Sequence, residues 1–219
     1  MVRRPLRGML TRSVNSQHLQ GCWAWLGLCA VWAVACVVVW LLPVEWQIAL
    51  RWRTDSWVSE PWTVWTASFT HLSDMHLIVN LLTLVCLAIV GAQSGCKRDE
   101  VVAVLLAWPL STLALLLWPQ VQFYAGFSGL NHALALILIA QGALNFVVKH
   151  EFSGVVFLLA VLLMVKIIWE TPWSVPMRHD TSWGFTVVQA AHLSGLLAAA
   201  MAAAVIYTAR IFLTKAVVE

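Results

Sequence analysis

The sequence predicts an all-α membrane protein, a bundle of six transmembrane helices. Three observations predict it. Of 219 residues, 61% are hydrophobic and only 11% charged, whereas a soluble domain carries about 25% charged residues. The apolar residues gather into six long runs, each of a length that suits a membrane-crossing helix. Many of the 14 Trp stand near the ends of those runs, where aromatic rings settle at the membrane–water interface. The net charge of +3 comes from basic residues in loops and tails, which gives no reason to expect a nucleic-acid partner.

Taken in order, residues 1–20 form a polar tail carrying Arg3, Arg4, Arg7 and Arg12, read as cytoplasmic. The first span is Gly21–Leu42. It is longer than a signal-peptide core and ends in Pro43-Val-Glu45, not in a small-residue cleavage site. Residues 44–70 are rich in Trp and charge, which predicts an interfacial loop with short helices lying on the bilayer. The second span is Met75–Gly91 and the third Val101–Trp118, with Pro109 inside it. Membrane helices tolerate such a proline when neighbours satisfy the freed carbonyl. The fourth is Ser128–Val148, the fifth Phe152–Trp169, and a polar loop covers 170–185. The sixth is Thr186–Ile206, continuing to Leu213, so the domain occupies 21–213 and residues 214–219 form a second cytoplasmic tail. Of the five cysteines, Cys22, Cys29 and Cys36 are seven apart on one helix face, with Cys86 and Cys96 elsewhere. An odd count, mostly within apolar runs, reads as small packing residues and not as a disulfide framework.

The positive-inside rule orients the spans. With the N-terminus in the cytoplasm, Arg3, Arg4, Arg7, Arg12, Lys97, Arg98, Lys149, Arg210 and Lys215 lie inside, nine of the 13 basic residues. Both termini are then cytoplasmic, and spans two, four and six all start on the outer side. His76, Asn80, Ser128 and His192 each fall near the start of one of these three. At about 1.5 Å per residue all four share a depth to within roughly 10 Å.

Ser128 sits in Gly126-Phe-Ser128-Gly129. A serine there is a helix cap, a packing residue or a nucleophile. As a nucleophile it needs a base, and His192 is the candidate because imidazole exchanges a proton near neutral pH. His76 and Asn80 are four apart and face the same way from one helix, as two donors for an oxyanion or as interhelical glue. No Asp or Glu stands where it clearly orients His192, so the expected machinery is a Ser–His dyad needing no cofactor and no metal. Gly126 and Gly129 permit a tight loop-to-helix entry. Gly195 and Ala199 offer a small face on span six for span four to pack against. A transporter would favour charges along a path through the bilayer, and the inner halves of the spans hold almost none.

The stretches Phe69-Thr-His71-Leu-Ser-Asp-Met-His76-Leu-Ile-Val-Asn80, Gly126-Phe-Ser128-Gly129 and Ala191-His192-Leu-Ser-Gly195 resemble the rhomboid family of intramembrane serine proteases, over about residues 60–205. The resemblance implies a six-helix rhomboid-like bundle with Ser128 as nucleophile, His192 as base and His76 with Asn80 as oxyanion donors. Two positions depart from the family pattern. The Trp-Arg of many rhomboids reads Trp62-Thr63 here, and the last span carries Gly195-x-x-x-Ala199 in place of Gly-x-x-x-Gly.

A narrower similarity is to rhombosortases, bacterial proteases that process proteins ending in Gly-Gly, an apolar helix and a basic cluster (the GlyGly-CTERM signal). It rests on His132 four residues after Ser128, on Lys166-Ile-Ile-Trp-Glu170 at the outer end of span five, and on the compact chain. This resemblance implies an inner-membrane enzyme whose partners are the lipid bilayer and single-span clients with a C-terminal transmembrane helix. His132 is read as an active-site neighbour and Lys166 with Glu170 as a substrate gate or subfamily mark. The plainer readings are a buried hydrogen-bonding histidine and an i,i+4 ion pair. The alternatives in function are a general rhomboid protease acting on other single-span proteins and a non-catalytic, client-binding relative.

Overall fold

The computed structural model describes the backbone of residues 7–218 and the side chains of 22–210. Arg3 and Arg4, and the side chains of Arg7, Arg12 and Lys215, lie outside the described residues. Among the described residues, eight α-helices account for nearly all regular structure: α1 (Arg7–Trp40), α2 (Val44–Ala49), α3 (Thr63–Thr66), α4 (Asp74–Gln93), α5 (Arg98–Leu113), α6 (Ser128–Lys149), α7 (Gly154–Glu170) and α8 (Ala190–Val218). Five contain stretches long and apolar enough to cross a membrane: Cys22–Trp40, Asp74–Gln93, Arg98–Leu117, Ser128–Lys149 and Ala190–Arg210. The helix of the expected fifth span, α7, has 17 residues. At about 1.5 Å per residue it reaches about 25 Å, slightly less than a hydrocarbon core of about 30 Å. The architecture is the all-α membrane bundle that the composition predicts.

Several helix starts have a local cause. Ser73 caps α4 by accepting from the His76 N–H at 3.2 Å, which leaves Asp74 in the first turn, where a carboxylate complements the helix dipole. At α5 the Lys97 N–H donates to Glu100 Oε2 at 2.7 Å. The buried Glu100 also accepts from the Tyr207 hydroxyl at 3.3 Å, tying α5 to α8. Pro109 sits inside α5, which ends at Leu113 and tightens into a 3-10 turn over Ala114–Leu117.

The core is built around α6, which buries ten residues and packs against α5, α8 and α4. α8 approaches so closely that a Cβ on Gly195 would lie 2.0 Å from the Gly129 carbonyl oxygen. The small face on span six does meet span four. Trp25, Trp32, Cys29 and Cys36 of α1 enter the same core with Leu84, Leu134 and Ala199. Those two Trp are therefore packing residues in the bundle, not interfacial anchors. Cys29, Cys36, Cys86 and Cys96 are free thiols, and Cys86 alone among the cysteines is exposed.

Two small sheets correct the helix-and-loop reading. Strands β1 (Trp52–Arg53) and β2 (Phe123–Tyr124) pair antiparallel, so residues 44–70 fold onto the chain just before Ser128. Trp52 is fully buried in that second core beside Val64, Ala67 and Tyr124. The loop is further fixed by the Thr66 hydroxyl on the Leu50 carbonyl at 2.8 Å and by the Trp108 indole on the Trp65 carbonyl at 3.0 Å. Thr63, at the position where many rhomboids have Arg, is buried with its hydroxyl on the Glu60 carbonyl at 2.7 Å. Strands β3 (Arg178–Asp180) and β4 (Phe185–Val187) form a hairpin that begins in the expected loop, runs past its end at 185 and moves the start of the last helix from Thr186 to Ala190. Its turn is held by the Trp183 and Gly184 N–H groups on the Asp180 carbonyl and by Gly184 at φ +72°.

Candidate active site

Ser128 is the first residue of α6, His192 the third of α8, and His76 and Asn80 lie in the first two turns of α4. All four line one cavity of about 330 Å³, together with His132, Lys166 and Glu170. The cavity runs along α4 past Val79 and Thr83 and along α7 past Leu159 and Leu162, beneath Trp183 and Phe185 of the hairpin. The residues singled out from three separate stretches thus meet in one place.

The entry to α6 explains its glycines. Gly126 has φ +129°, a region that L side chains rarely adopt, and a Cβ there would lie 2.6 Å from the His76 ring. Its N–H donates to the Ala67 carbonyl at 3.0 Å. At Gly129 a Cβ would meet the Ala191 carbonyl oxygen at 2.8 Å and the Tyr124 hydroxyl at 2.9 Å. That hydroxyl donates to the Gly126 carbonyl at 2.6 Å and accepts from the Gly129 N–H at 3.3 Å, clamping the turn that presents Ser128. Burial pushes the Tyr124 phenol up, opposed by hydrogen bonds from the Gly129 N–H and the Ser128 side chain. The clamp therefore stays protonated.

Hydrogen-bond roles fix the tautomers. The Leu72 N–H donates to His76 Nδ1 at 3.4 Å, so that nitrogen is an acceptor and a neutral His76 carries its proton on Nε2. The ring is backed by His71 and Phe185, with centroids 5.1 and 5.0 Å away. His71, outside the helix, is held neutral because burial lowers its pKa to about 3. Asn80 Nδ2 donates to the His76 carbonyl at 2.9 Å, which leaves its second amide hydrogen available. Asn131 Nδ2 donates to both the carbonyl and the Oδ1 of Asn80 at 3.1 Å, fixing which end of that amide is the donor.

His132 lies one turn below Ser128, and its Nδ1 contacts the Ser128 carbonyl at 2.7 Å. A carbonyl only accepts, so Nδ1 bears the proton. The ring stacks on His192 with centroids 4.2 Å apart and planes 14° from parallel. His192 Nδ1 in turn contacts Glu170 Oε2 at 2.5 Å. This overturns the expectation that no carboxylate orients His192. With Nδ1–H donating to the carboxylate, Nε2 is the nitrogen left with a lone pair. Glu170 Oε1 accepts from Lys166 Nζ in the i,i+4 pair, and the Gln189 amide nitrogen, in its better-paired orientation, donates to the Glu170 backbone carbonyl at 2.8 Å.

His132, Glu170 and His192 bring potential ligand atoms within 4.8 Å of one another. A ring nitrogen binds a metal along its lone pair, in the ring plane. Two nearly parallel stacked rings do not converge on one tetrahedral ion. The trio is better suited to holding and moving protons.

The family model described as Rhomboid domain matches residues 58–209. A comparison with characterised proteins found no match.

Proposed function

The chain belongs to the rhomboid family of intramembrane serine proteases, and we propose that it is a serine endopeptidase working through Ser128 and His192. The observation that carries this reading is the shared cavity. It holds a hydroxyl at a helix start, an imidazole on the neighbouring helix and two donors on a third.

The chemistry follows from the assigned protons. Ser128 Oγ attacks the client's carbonyl carbon as its proton passes to His192 Nε2. The negative charge that develops on the carbonyl oxygen is met by His76 Nε2–H, by the second hydrogen of Asn80 Nδ2 and by the Ser128 backbone N–H. Removing one donor of this kind typically costs about 10²–10³ in rate. The C–N bond breaks as the imidazolium returns its proton to the leaving amine. Water, deprotonated in its turn by His192, then releases the acyl group from Ser128.

The client is a single-span membrane protein of the GlyGly-CTERM type, cut where its C-terminal helix begins. A helical peptide bond is shielded by its own hydrogen bonds, and each glycine weakens a helix by about 1 kcal/mol relative to Ala. The stacked His132–His192 pair beside Ser128 crowds the nucleophile and favours small side chains at the cut. The distribution of Lys and Arg supports cytoplasmic termini in a bacterial inner membrane, with cleavage near the outer face and the client's basic tail inside.

The test is co-expression with a Gly-Gly-tailed reporter and with the same reporter carrying Leu-Leu. Cleavage of the first, with at least tenfold less of the second, is expected. Equal cleavage would remove the rhombosortase assignment and leave a general rhomboid protease.

A further inference from the structure

Within the family resemblance the machinery is a dyad, yet in this chain a third residue reaches the base. We propose that Glu170 is a positioning residue that completes a Ser128–His192–Glu170 triad, and that Lys166 fixes which way its carboxylate serves. This rests on the catalytic reading above and adds to it.

Glu170 is the last residue of α7, and His192 is on α8, across the hairpin. Glu170 Oε2 lies 2.5 Å from His192 Nδ1, both side chains are nearly buried, and Oε1 is taken by Lys166 Nζ. The two oxygens therefore have separate duties. One binds the imidazole N–H and the other a cation, while Gln189 holds the Glu170 main chain. A carboxylate accepts from Nδ1–H and cannot donate to it, so Nε2 carries the lone pair that is needed to take the serine proton. When His192 takes the Ser128 proton, the adjacent negative charge stabilises the imidazolium. Glu170 itself stays ionised throughout.

The other charged or titratable groups facing His192 are His132 from α6, Lys166 from α7 and His76 from α4. His132, neutral and stacked against His192, brings no charge that would hold an imidazolium. Lys166 opposes protonation of His192 at longer range. Glu170 is the one group that favours it.

Lys166 makes the Glu170→Gln variant informative. Its ammonium attracts the amide oxygen, which turns the NH2 towards His192 Nδ1. An NH2 at that position favours the tautomer with the proton on Nε2, which cannot accept from Ser128. Turnover is expected to fall by about 10²–10⁴-fold, as when a triad acid becomes its amide. Glu170→Asp should recover part of that loss. The acid limb of the kcat/KM profile, where His192 becomes protonated and inactive, should move in opposite directions in two variants. Loss of the negative charge in Glu170→Gln should carry it down by roughly one to three units, and loss of the cation in Lys166→Met should carry it up. A strut joining α7 to α8 would move neither limb.

The experiment measures reporter cleavage against pH for the full-length protein in vesicles. It compares the wild type with Ser128→Ala, Glu170→Gln, Glu170→Asp and Lys166→Met, each checked for folded, monodisperse protein. Opposite shifts of the two limbs, with partial recovery by Asp, support the triad. Glu170→Gln within threefold of wild type and with an unmoved limb overturns it while Ser128→Ala remains inactive. If Glu170→Gln does not fold, the Lys166→Met limb decides: an upward shift supports the triad and an unmoved limb overturns it. An active Ser128→Ala would instead sink the catalytic reading beneath.

Discussion

The seam between α6 and α8 and the flank formed by α7 are built in opposite ways, although both deliver residues to the same cavity. α6 buries ten residues, and its Gly129 carbonyl lies against Gly195 of α8 with no room for a methyl group. α7 buries only Val156, and Val155, Leu158, Leu162, Val165 and Trp169 are exposed to the surroundings. In a bilayer those apolar faces meet lipid tails at little cost, so α7 is held mainly by α6 and by its final turn. Ser128 and His192 are thus fixed relative to each other by backbone packing. Glu170 and Lys166 ride on a long helix that buries only one residue. The cavity opens along α4 and α7, so a client entering from the membrane would press on that weakly held helix.

Packing this uneven makes mutational effects uneven. The largest is expected at Gly195→Val, where the new Cβ would sit against backbone that cannot rotate away. Overpacking of cores commonly costs about 1–3 kcal/mol, and more where backbone must shift. The expected result is a large fall in thermal stability in detergent, with Ser128 reactivity lost alongside. A fully stable Gly195→Val would show that the seam has slack and would erase the contrast. The smallest effect is expected at Leu158→Ala on α7, since substitutions away from packed features usually stay within about 0.5 kcal/mol. A loss of several kcal/mol there would mean that α7 is packed as firmly as α6.

The same contrast governs what the sequence reveals. Ser128, His192, His76, Asn80 and His132 are legible because each stands in a short motif near the start of a helix, and helical spacing shows which of them share a face. The partner of His192 is not legible in that way. Glu170 precedes it by 22 positions on a different helix, and only the packing of α7 against the bundle brings them together. The ion pair with Lys166 is readable from i,i+4 spacing, and it directs attention away from the second oxygen. Tyr124 and Asn131 lie inside or beside the Ser128 motif but act through backbone carbonyls and an amide that spacing does not reveal. The β1–β2 pair joins Trp52 to Tyr124, which are far apart in sequence and lie on either side of α4 and α5. The β3–β4 hairpin has strands too short to display alternation.

The proposed catalysis makes Ser128 a nucleophile activated by His192. Its most direct measurement is labelling with a fluorophosphonate probe on purified wild type, Ser128→Ala and His192→Ala, each shown to be folded. Labelling of the wild type, none of Ser128→Ala and strongly slowed labelling of His192→Ala is the predicted pattern. Equal labelling of wild type and Ser128→Ala would contradict it.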